Sequence, residues 1–517
     1  MADSSTVDNL KNLLDEELAR EAASPTKRPM DTEEEAPETW QVVQEPTPFQ
    51  DSLLWQWQRD FFTHAGPEAW RQGVVPHYIT SSSFVAHAYA QLVTAHQRDR
   101  QAAGQTAPLT VMELGGGSGQ FSFHFLKHCQ ALSTPGLPPL RYVFTDVVEE
   151  NLHFVMQHPS MAPFIASGVL DAGLFDVTKP DPVPLTQAKI SLFGEAEPLP
   201  LVVIANYLWD SIPTELWRIQ QHQAVPVHVS IRLPEGPEPV DFHRLPEADL
   251  QFSEGEPPAT LPALAQAYLS EGVRGDVWVP QLGLQCMDWL SEKTGGQVAL
   301  LSGDKAQPGA SHLLPSLVHH GSFSLSVNFE AFAWWAAIQG GQTLAPAYPH
   351  RSLHVGWYSG RAMSPGPQLS LASRQWIEDF HPGDQFVLKR SVESHYDQMS
   401  PEEVLAYVRF SRYDPKALRR GLGPLMGFVN GYSLAMKAQI LEVISRAWDN
   451  YYPMGEEPDL AFLIGGLLYE MDLFGEALGY FEFSAANYGP DEGTLANIKS
   501  CREMMKSPEE PAMKPKD

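Results

Sequence analysis

An apolar strand that leads into a glycine turn and then into a helix constrains this chain more than any other feature. Residues 111–121 read VMELGGGSGQF, with Glu113 just before the turn and glycines at Gly115, Gly117 and Gly119. In a βαβ unit such glycines let the backbone turn tightly and approach a ligand closely. Because a glycine loop of this kind also suits dinucleotides, the loop alone leaves the class of cofactor open.

Polar side chains follow three further predicted strands. Asp146 ends the second strand, where an acidic residue can accept both hydroxyls of a cofactor ribose. Asp176 lies in the segment 173–177, GLFDV, which fits the end of a third strand. Asn206 and Asp210 follow the apolar segment 201–205. Because carboxyl ends of parallel strands share one edge of a sheet, we expect these side chains to lie near the glycine loop.

Each of these residues also has a plain structural explanation. The glycine segment fits an ordinary strand–helix turn, and Asp146 fits the N-cap of the helix after it. Asp176 fits a solvated turn residue, and Asn206 fits a loop residue with its hydrogen bonds made. The prediction of a cofactor site therefore depends on all four positions occurring together.

Strands and helices alternate through the first two thirds of the chain, which predicts an α/β fold with a Rossmann-like, mostly parallel sheet and helices on both faces. The predicted strands are 109–114, 141–145, 201–205 and 299–302, and the predicted helices between them include 121–130, 149–156 and 282–293. From about residue 400 the pattern is helical throughout, which predicts a smaller all-α C-terminal region.

A chain of 517 residues is too long for one hydrophobic core. We expect a disordered acidic tail over residues 1–50, a cofactor-binding domain over 51–375 and a helical region over 376–517. The tail carries 12 Asp and Glu against 4 Lys and Arg. A segment of this composition buries too little apolar surface to offset the loss of chain entropy on folding. The Pro-, Glu- and Gly-rich segment 236–262 is expected to be a long loop.

The formal net charge of −28, from 35 basic and 63 acidic residues, disfavours nucleic acid and anionic membrane surfaces as partners. Three scattered cysteines predict neither a disulfide framework nor a structural zinc site, and we expect no bound metal. The N-terminus has no signal-peptide pattern and the chain has no apolar run of about 18 residues. We therefore expect a cytoplasmic protein that does not cross a membrane.

The form E-L-G-G-G-S-G at 113–119 resembles motif I of the class I S-adenosylmethionine-dependent methyltransferases. The resemblance implies that Glu113 approaches the methionine end of S-adenosyl-L-methionine and that Asp146 binds the ribose. It implies that Asp176 meets the adenine amino group and that Asn206 faces both cofactor and substrate. By the same resemblance the loop glycines, Gly115, Gly117 and Gly119, contact the cofactor.

Residues 206–218, NYLWDSIPTELWR, resemble a motif of the MidA-like methyltransferases, as do 277–304 and 324–332. That family includes the mitochondrial complex I assembly factor, which methylates a protein arginine, so the resemblance implies a protein acceptor. It covers roughly residues 75–360. Three positions depart from the family pattern on the side expected to face the substrate: Tyr207 replaces a glutamate, Leu301–Asp304 replaces I-D-Y-G, and Asn328 replaces an aspartate.

The residue spacing in the C-terminal segment 458–491 fits the pattern of a tetratricopeptide repeat. Gly465 and Ala477 are twelve residues apart, and Phe481 follows at the usual spacing. A generic helical bundle fits the same pattern. Partner binding, dimerisation and packing against the main domain all remain open for this region.

The sequence thus predicts a methyltransferase that acts on a protein. A non-catalytic scaffold of the same fold, which recruits a partner through its C-terminal helices, is the alternative, and an NAD-dependent oxidoreductase is a third possibility. No general base is assigned, because methyl transfer needs one only when the nucleophile is protonated. The candidates for substrate contact are Asn206, Asp210, Glu330 and His320.

Overall fold

The computed structural model describes residues 39–66, 68, 78–194, 198–236, 239–306, 318–319, 322–323, 325–347, 350, 352–455 and 459–506. Its strands are β1 (Trp40–Pro48), β2 (Leu109–Leu114), β3 (Leu140–Asp146), β4 (Leu170–Leu174), β5 (Val183–Pro184), β6 (Ser191–Leu192), β7 (Leu201–Asn206), β8 (Glu215–Ile219), β9 (Ala224–Pro234), β10 (Asp249–Glu254), β11 (Gly275–Val279), β12 (Val298–Asp304), β13 (Val318–His319), β14 (Ser322–Phe323), β15 (Gln342–Leu344) and β16 (His354–Ser359).

Helices separate most of these strands. The helices up to residue 393 are α1 (Leu53–Ala65), α2 (Tyr78–Ser81), α3 (Ser83–Ala102), α4 (Gln120–Leu132), α5 (Glu149–Gln157), α6 (Ala162–Ala166), α7 (Ala263–Ser270), α8 (Gln281–Lys293), α9 (Phe329–Ile338), α10 (Pro367–Ser373) and α11 (Pro382–Glu393). The predicted strands and helices around the glycine loop agree with these bounds to within a few residues.

A seven-stranded sheet forms the centre of the first unit, in the order β15-β16-β12-β7-β2-β3-β4. The five strands from β12 to β4 are parallel, and β16 and β15 join one edge in antiparallel pairing. All residues of β2 and of β12 are buried. Side chains of a strand alternate between the two faces of a sheet, so this burial means that both faces are covered. The predicted α/β fold with a mostly parallel sheet is confirmed.

The order of the strands fixes where a ligand would bind. The chain passes from β2 outward to β3 and β4, then returns to place β7 and β12 on the other side of β2. In open α/β sheets, ligands bind at the carboxyl ends of the strands where the order reverses. Here that point lies between β2 and β7, next to the glycine loop.

A second, antiparallel sheet has the order β1-β9-β8-β11, with β10 also paired to β9. It corrects two sequence predictions. Residues 40–48, assigned to the tail, form β1 because their backbone pairs with β9, and part of the predicted loop 236–262 forms β10 on β9. Buried aromatic residues of α1, including Trp55 and Trp57, share a core with the inward side chains of β9. The predicted tail residues 1–38 lie outside the described residues.

The chain divides into two compact units between Val387 and Leu388, twelve residues after the predicted boundary at 375. The second unit contains α12 (Pro401–Phe410), α13 (Pro415–Gly427), α14 (Leu434–Trp448), α15 (Leu460–Glu470), α16 (Phe474–Asn487) and α17 (Glu492–Met504). The pair α15 and α16 spans the predicted repeat, and Gly465 lies directly against the Phe481 ring. The tetratricopeptide assignment stays a prediction.

Across the part of the chain that the structure describes, no helix combines the length and apolar character needed to span a bilayer. The three cysteines, Cys129, Cys286 and Cys501, are buried and unpaired.

Candidate functional site

The glycine loop between β2 and α4 needs glycine at several positions. Gly115, Gly117 and Gly119 have φ angles of +62°, +57° and +76°, a region that strongly favours glycine. Gly116 is constrained by space instead, since a Cβ there would come within 2.2 Å of the Phe144 ring. The loop therefore has one defined shape against the end of β3.

Two N–H groups of this loop bond to β3. Gly116 donates its N–H to the Thr145 carbonyl oxygen at 3.0 Å. Gly117 donates its N–H to Oδ2 of Asp146 at 2.9 Å. These two amides therefore bind the protein itself and do not point at a ligand.

Asp146 lies at the carboxyl end of β3, as predicted, and is 5% exposed. Its other oxygen, Oδ1, accepts the Val148 N–H at 2.9 Å. Burial raises the pKa of this carboxyl, although the hydrogen bonds from the Val148 and Gly117 N–H groups oppose the rise. A ribose hydroxyl would have to share these oxygens with the protein's own donors.

Glu113 is buried beneath the loop, between α4 and β3. The hydroxyls of Ser122 and Tyr142 both donate to its Oε2, the latter at 2.6 Å. Oε1 accepts no hydrogen bond from the described residues. Burial raises the pKa of Glu113 to about 7, against the opposing effect of the two hydroxyls. The predicted contact with a cofactor ammonium group would have to use Oε1.

Asp176 follows β4 and is bound on two sides. The Arg59 guanidinium of α1 pairs with its Oδ2 at 2.9 Å, and the N–H and hydroxyl of Thr178 donate to its Oδ1. The pKa of Asp176 lies below its usual value because these hydrogen bonds outweigh the effect of burial. Its predicted role toward adenine requires that Arg59 and the adenine amino group share the carboxylate.

Asn206 is the last residue of β7 and is paired with Gly303 on the adjacent strand β12. Its Oδ1 accepts the Tyr89 hydroxyl at 2.8 Å and the Gly303 N–H at 3.1 Å. Its Nδ2 is buried and finds no partner within the described residues. The residue after it, Tyr207, has a φ of +48°, which is uncommon outside glycine and asparagine. The chain thus leaves β7 through a sharp turn.

Asp210 lies in a short 3-10 helix (Trp209–Ser211) after β7, and Asp304 is the last residue of β12; both carboxyls are buried. Asp210 is 3% exposed at its side chain, accepts the Ser211 hydroxyl and lies 3.6 Å from the Lys305 ammonium. Asp304 ends β12 and is fully buried. Burial raises the pKa of both, and the Asp210 charge raises that of Asp304 further. Sequence reasoning missed Asp304, although an acidic residue at a strand end was the same signal that identified Asp146.

Asn328 and Glu330 do not join this cluster through any hydrogen bond found among the described residues. Asn328 donates to the Trp278 carbonyl oxygen and to the Tyr268 hydroxyl. Tyr268 also donates to Glu330 at 3.4 Å. His320 lies outside the described residues. The contacts therefore give Asn328 a structural role and leave the substrate-side prediction for Glu330 without support.

The strand ends thus bring together a glycine loop, two carboxylates and an amide. Two of the loop amides bind the protein, and the nearest acidic groups, Glu113 and Asp146, flank the loop. An anionic pyrophosphate would find the Gly116 and Gly117 amides already bonded to the protein and two carboxyls beside the loop. A cationic nucleoside meets hydrogen-bond acceptors for its hydroxyls and for its ammonium. The residues present fit S-adenosylmethionine better than a dinucleotide.

Comparisons with known proteins are sparse. No protein-family model and no curated protein matches the chain. Among solved structures, a COG1565 superfamily member from Burkholderia thailandensis, bound to S-adenosyl-homocysteine, is 14% identical at a TM-score of 0.34, over 67% of this chain and 80% of that one. An uncharacterised COG1565 superfamily protein from the same organism is also 14% identical, at a TM-score of 0.33, over 81% of this chain and 89% of that one. Both likenesses are weak.

Proposed function

We propose that this protein binds S-adenosyl-L-methionine at the glycine loop and transfers its methyl group to an acceptor. The observation that carries the proposal is the Asp146 carboxylate, which is hydrogen-bonded to the loop amide of Gly117 at 2.9 Å. The bond supports the proposal because it holds a hydrogen-bond acceptor beside the loop, as a ribose requires, and occupies one amide that a phosphate could have used.

In this proposal each residue around the loop has a distinct task. Asp146 orients the ribose, Oε1 of Glu113 accepts from the ammonium group, and Asp176 lies toward the adenine. Asn206 lies where cofactor and acceptor meet. The cofactor supplies a sulfonium methyl that already carries its leaving group. The protein has to align the nucleophile and exclude water.

We further propose that the acceptor is a protein or another large molecule. The resemblance of residues 206–218 to the MidA-like methyltransferases supports this proposal. The second sheet supports it too, because four of its five strands, β8 to β11, lie in the chain between β7 and β12.

Incubation with methyl-labelled S-adenosylmethionine and a lysate of the protein's own cells tests the proposal. We expect discrete labelled macromolecules. Gly117→Arg should abolish the label, because the side chain would enter the loop at a positive φ. Gly479→Arg is the matched control and should keep the label, because nothing lies within 4 Å of a Cβ at that helical position.

Other outcomes separate the alternatives. Label that appears only in small molecules and is lost in Gly117→Arg would refute the macromolecular acceptor and keep the methyltransferase. Cofactor binding without any transfer would favour the non-catalytic scaffold.

A further inference from the structure

The side-chain amide of Asn206 is held in one orientation by two neighbouring elements. The Gly303 N–H of β12 and the Tyr89 hydroxyl of α3 both donate to its Oδ1, at 3.1 and 2.8 Å. Because a backbone N–H can only donate, the oxygen of the amide faces Gly303 and the NH₂ group points elsewhere. Nδ2 is buried and finds no partner among the described residues. Asn206 therefore presents a hydrogen-bond donor of fixed orientation.

The packing around this amide depends on Tyr89 and Gly303. Tyr89 is fully buried, and burial raises the pKa of its hydroxyl well above its ordinary range, so the hydroxyl keeps its proton and donates. A Cβ at position 303 would come within 2.5 Å of that hydroxyl oxygen and within 3.2 Å of Oδ1 of Asn206. The glycine therefore leaves the space in which Tyr89 reaches the amide.

The strand register places this donor on the same face of the parallel sheet as the two acidic residues beside the glycine loop. Glu113 of β2 is paired with Ile204 of β7 and with Phe144 of β3. Paired residues of neighbouring strands point to the same face, and so do residues two apart along one strand. Asn206 and Asp146, each two residues beyond a partner of Glu113, therefore share its face at the carboxyl edge.

The glycine loop begins between Asn206 and Asp146. Strand β2 lies between β3 and β7, so the backbones of these two residues are two strand spacings apart, roughly 10 Å. Leu114 is paired with Ala205, so Gly115, the first residue of the loop, follows directly beside Asn206. A cofactor that places its ribose at Asp146 and crosses the loop therefore has its amino-acid end toward Asn206.

The amino-acid end of S-adenosylmethionine carries an ammonium group and a carboxylate on the same carbon atom. Oε1 of Glu113 is a hydrogen-bond acceptor and suits the ammonium, whereas Nδ2 of Asn206 is a donor and suits the carboxylate. Oδ1 of Asn206 already accepts two hydrogen bonds, which occupies both of its lone pairs. The amide therefore has no capacity left to accept a hydrogen bond from an amino group.

Building on the proposed function, we propose that Nδ2 of Asn206 binds the carboxylate of the methionine moiety of S-adenosylmethionine, and that Tyr89 is the positioning residue that fixes this amide. Glu113 and Asn206 then bind the two charged groups at one end of the cofactor, and Asp146 binds the ribose. The arrangement requires a ligand with both charges of a free amino acid.

Decarboxylated S-adenosylmethionine tests the proposal, because it keeps the nucleoside, the sulfonium and the amine and lacks only the carboxylate. Calorimetry on the full chain should show tighter binding of S-adenosylmethionine than of the decarboxylated compound. Asn206→Ala should weaken the binding of S-adenosylmethionine about tenfold or more, as expected for one lost hydrogen bond to a charged group. The affinity for the decarboxylated compound should stay unchanged, so the preference between the two ligands should disappear.

Tyr89→Phe separates positioning from a merely structural role. It keeps the ring and removes the hydroxyl that orients the amide, so it should reduce the preference for S-adenosylmethionine about two- to tenfold, the range for one neutral hydrogen bond. Tyr396→Phe is the matched control, because it removes another buried tyrosine hydroxyl, which donates to the Ala417 carbonyl oxygen in the second unit. That variant should leave both affinities unchanged.

Each other outcome contradicts a different claim. Equal weakening of both ligands in Asn206→Ala would overturn the carboxylate assignment, as would a wild-type protein that binds both compounds equally. An unchanged preference in Tyr89→Phe would exclude Tyr89 as a positioning residue. If neither compound binds the wild type, the proposed function itself is refuted. The wild-type comparison and Tyr89→Phe decide the question even if Asn206→Ala fails to fold, which circular dichroism detects.

Discussion

Glu113 is a buried carboxyl in a position where the folded protein binds protons more readily than the unfolded chain. Its pKa is about 7 in the fold, raised by burial, against an ordinary value of 4.5. Between these two values the folded state holds more protons, so the free energy of unfolding should fall as pH rises from 4.5 to 7 and level off above 7. The contribution of this one residue is at most about 3 kcal/mol.

Urea denaturation between pH 4 and 8 checks this expectation. Glu113→Gln should flatten the decline, because glutamine keeps an acceptor for Ser122 and Tyr142 and does not titrate. Glu492→Gln changes an exposed glutamate and should leave the profile unchanged. A wild-type profile that rises over the same range, with no change in Glu113→Gln, would show that the site is not desolvated.

Asp146 has two roles, in cofactor binding and in stability, and two measurements on one variant distinguish them. Asp146→Ala removes the acceptor for the ribose and should weaken the binding of S-adenosylmethionine by about 1.5–3 kcal/mol, the range for hydrogen bonds to a charged group. It also leaves the Gly117 and Val148 N–H groups without their acceptor, so stability should fall. Isothermal titration with a melting curve on each sample measures both effects. An unchanged dissociation constant in a folded variant would exclude Asp146 from the cofactor site.

At the scale of residues, the sequence located the strand ends but not their contacts. The glycine loop, Asp146 and Asn206 were predictable because each follows an apolar strand. The ion pair of Arg59 with Asp176 joins residues 117 positions apart, and no local pattern encodes such a pair. Asp304 was not predicted, because residues 301–304 do not match the I-D-Y-G motif with which they were compared.

The glycine loop as an element depends on its contact with β3. A Cβ on Gly116 would lie 2.2 Å from the Phe144 ring. Gly116→Ala should therefore cost about 1–3 kcal/mol of stability, as overpacking does in other cores. Gly479→Ala provides the opposite case, because nothing surrounds that helical glycine and alanine should stabilise the helix by about 0.5–1 kcal/mol.

Chemical denaturation of the two variants measures the difference. Equal stability of Gly116→Ala and the wild type would mean that Phe144 is free to move away and that the loop is less constrained than its geometry indicates.

The parallel strands were predicted well and the antiparallel ones poorly. Strands buried on both faces appear in the sequence as continuous apolar runs, as in β2 and β7. Strand β1 was assigned to the tail because Glu, Pro and Thr dominate its surroundings, and its backbone pairs with β9, nearly 190 residues away in the chain. Composition describes the side chains of such a strand and carries no information about its partner.

For the whole molecule, the boundary between the two units can be tested by truncation. Helix α10 belongs with the first unit, because the Asp99 carboxylate of α3 accepts the N–H groups of Gln368 and Leu369 at 2.9 and 2.8 Å. The same helix α3 carries Tyr89, which bonds to Asn206. A chain that ends at Glu393 should therefore keep its affinity for S-adenosylmethionine.

A chain that ends at Gly366 lacks α10 and should bind more weakly or aggregate, since α3 would lose its cover. Calorimetry and circular dichroism on both truncations provide the comparison. Full affinity in the shorter chain would show that α10 does not support the site, and loss of affinity in a folded longer chain would show that the second unit contributes to it.

The central claim is that the glycine loop accepts a cationic nucleoside and not a pyrophosphate. Calorimetric titration of the full chain with S-adenosylmethionine and, in the same buffer, with NAD tests this most directly. We expect micromolar binding of S-adenosylmethionine, with no detectable binding of NAD. Micromolar binding of NAD with none of S-adenosylmethionine would contradict the account.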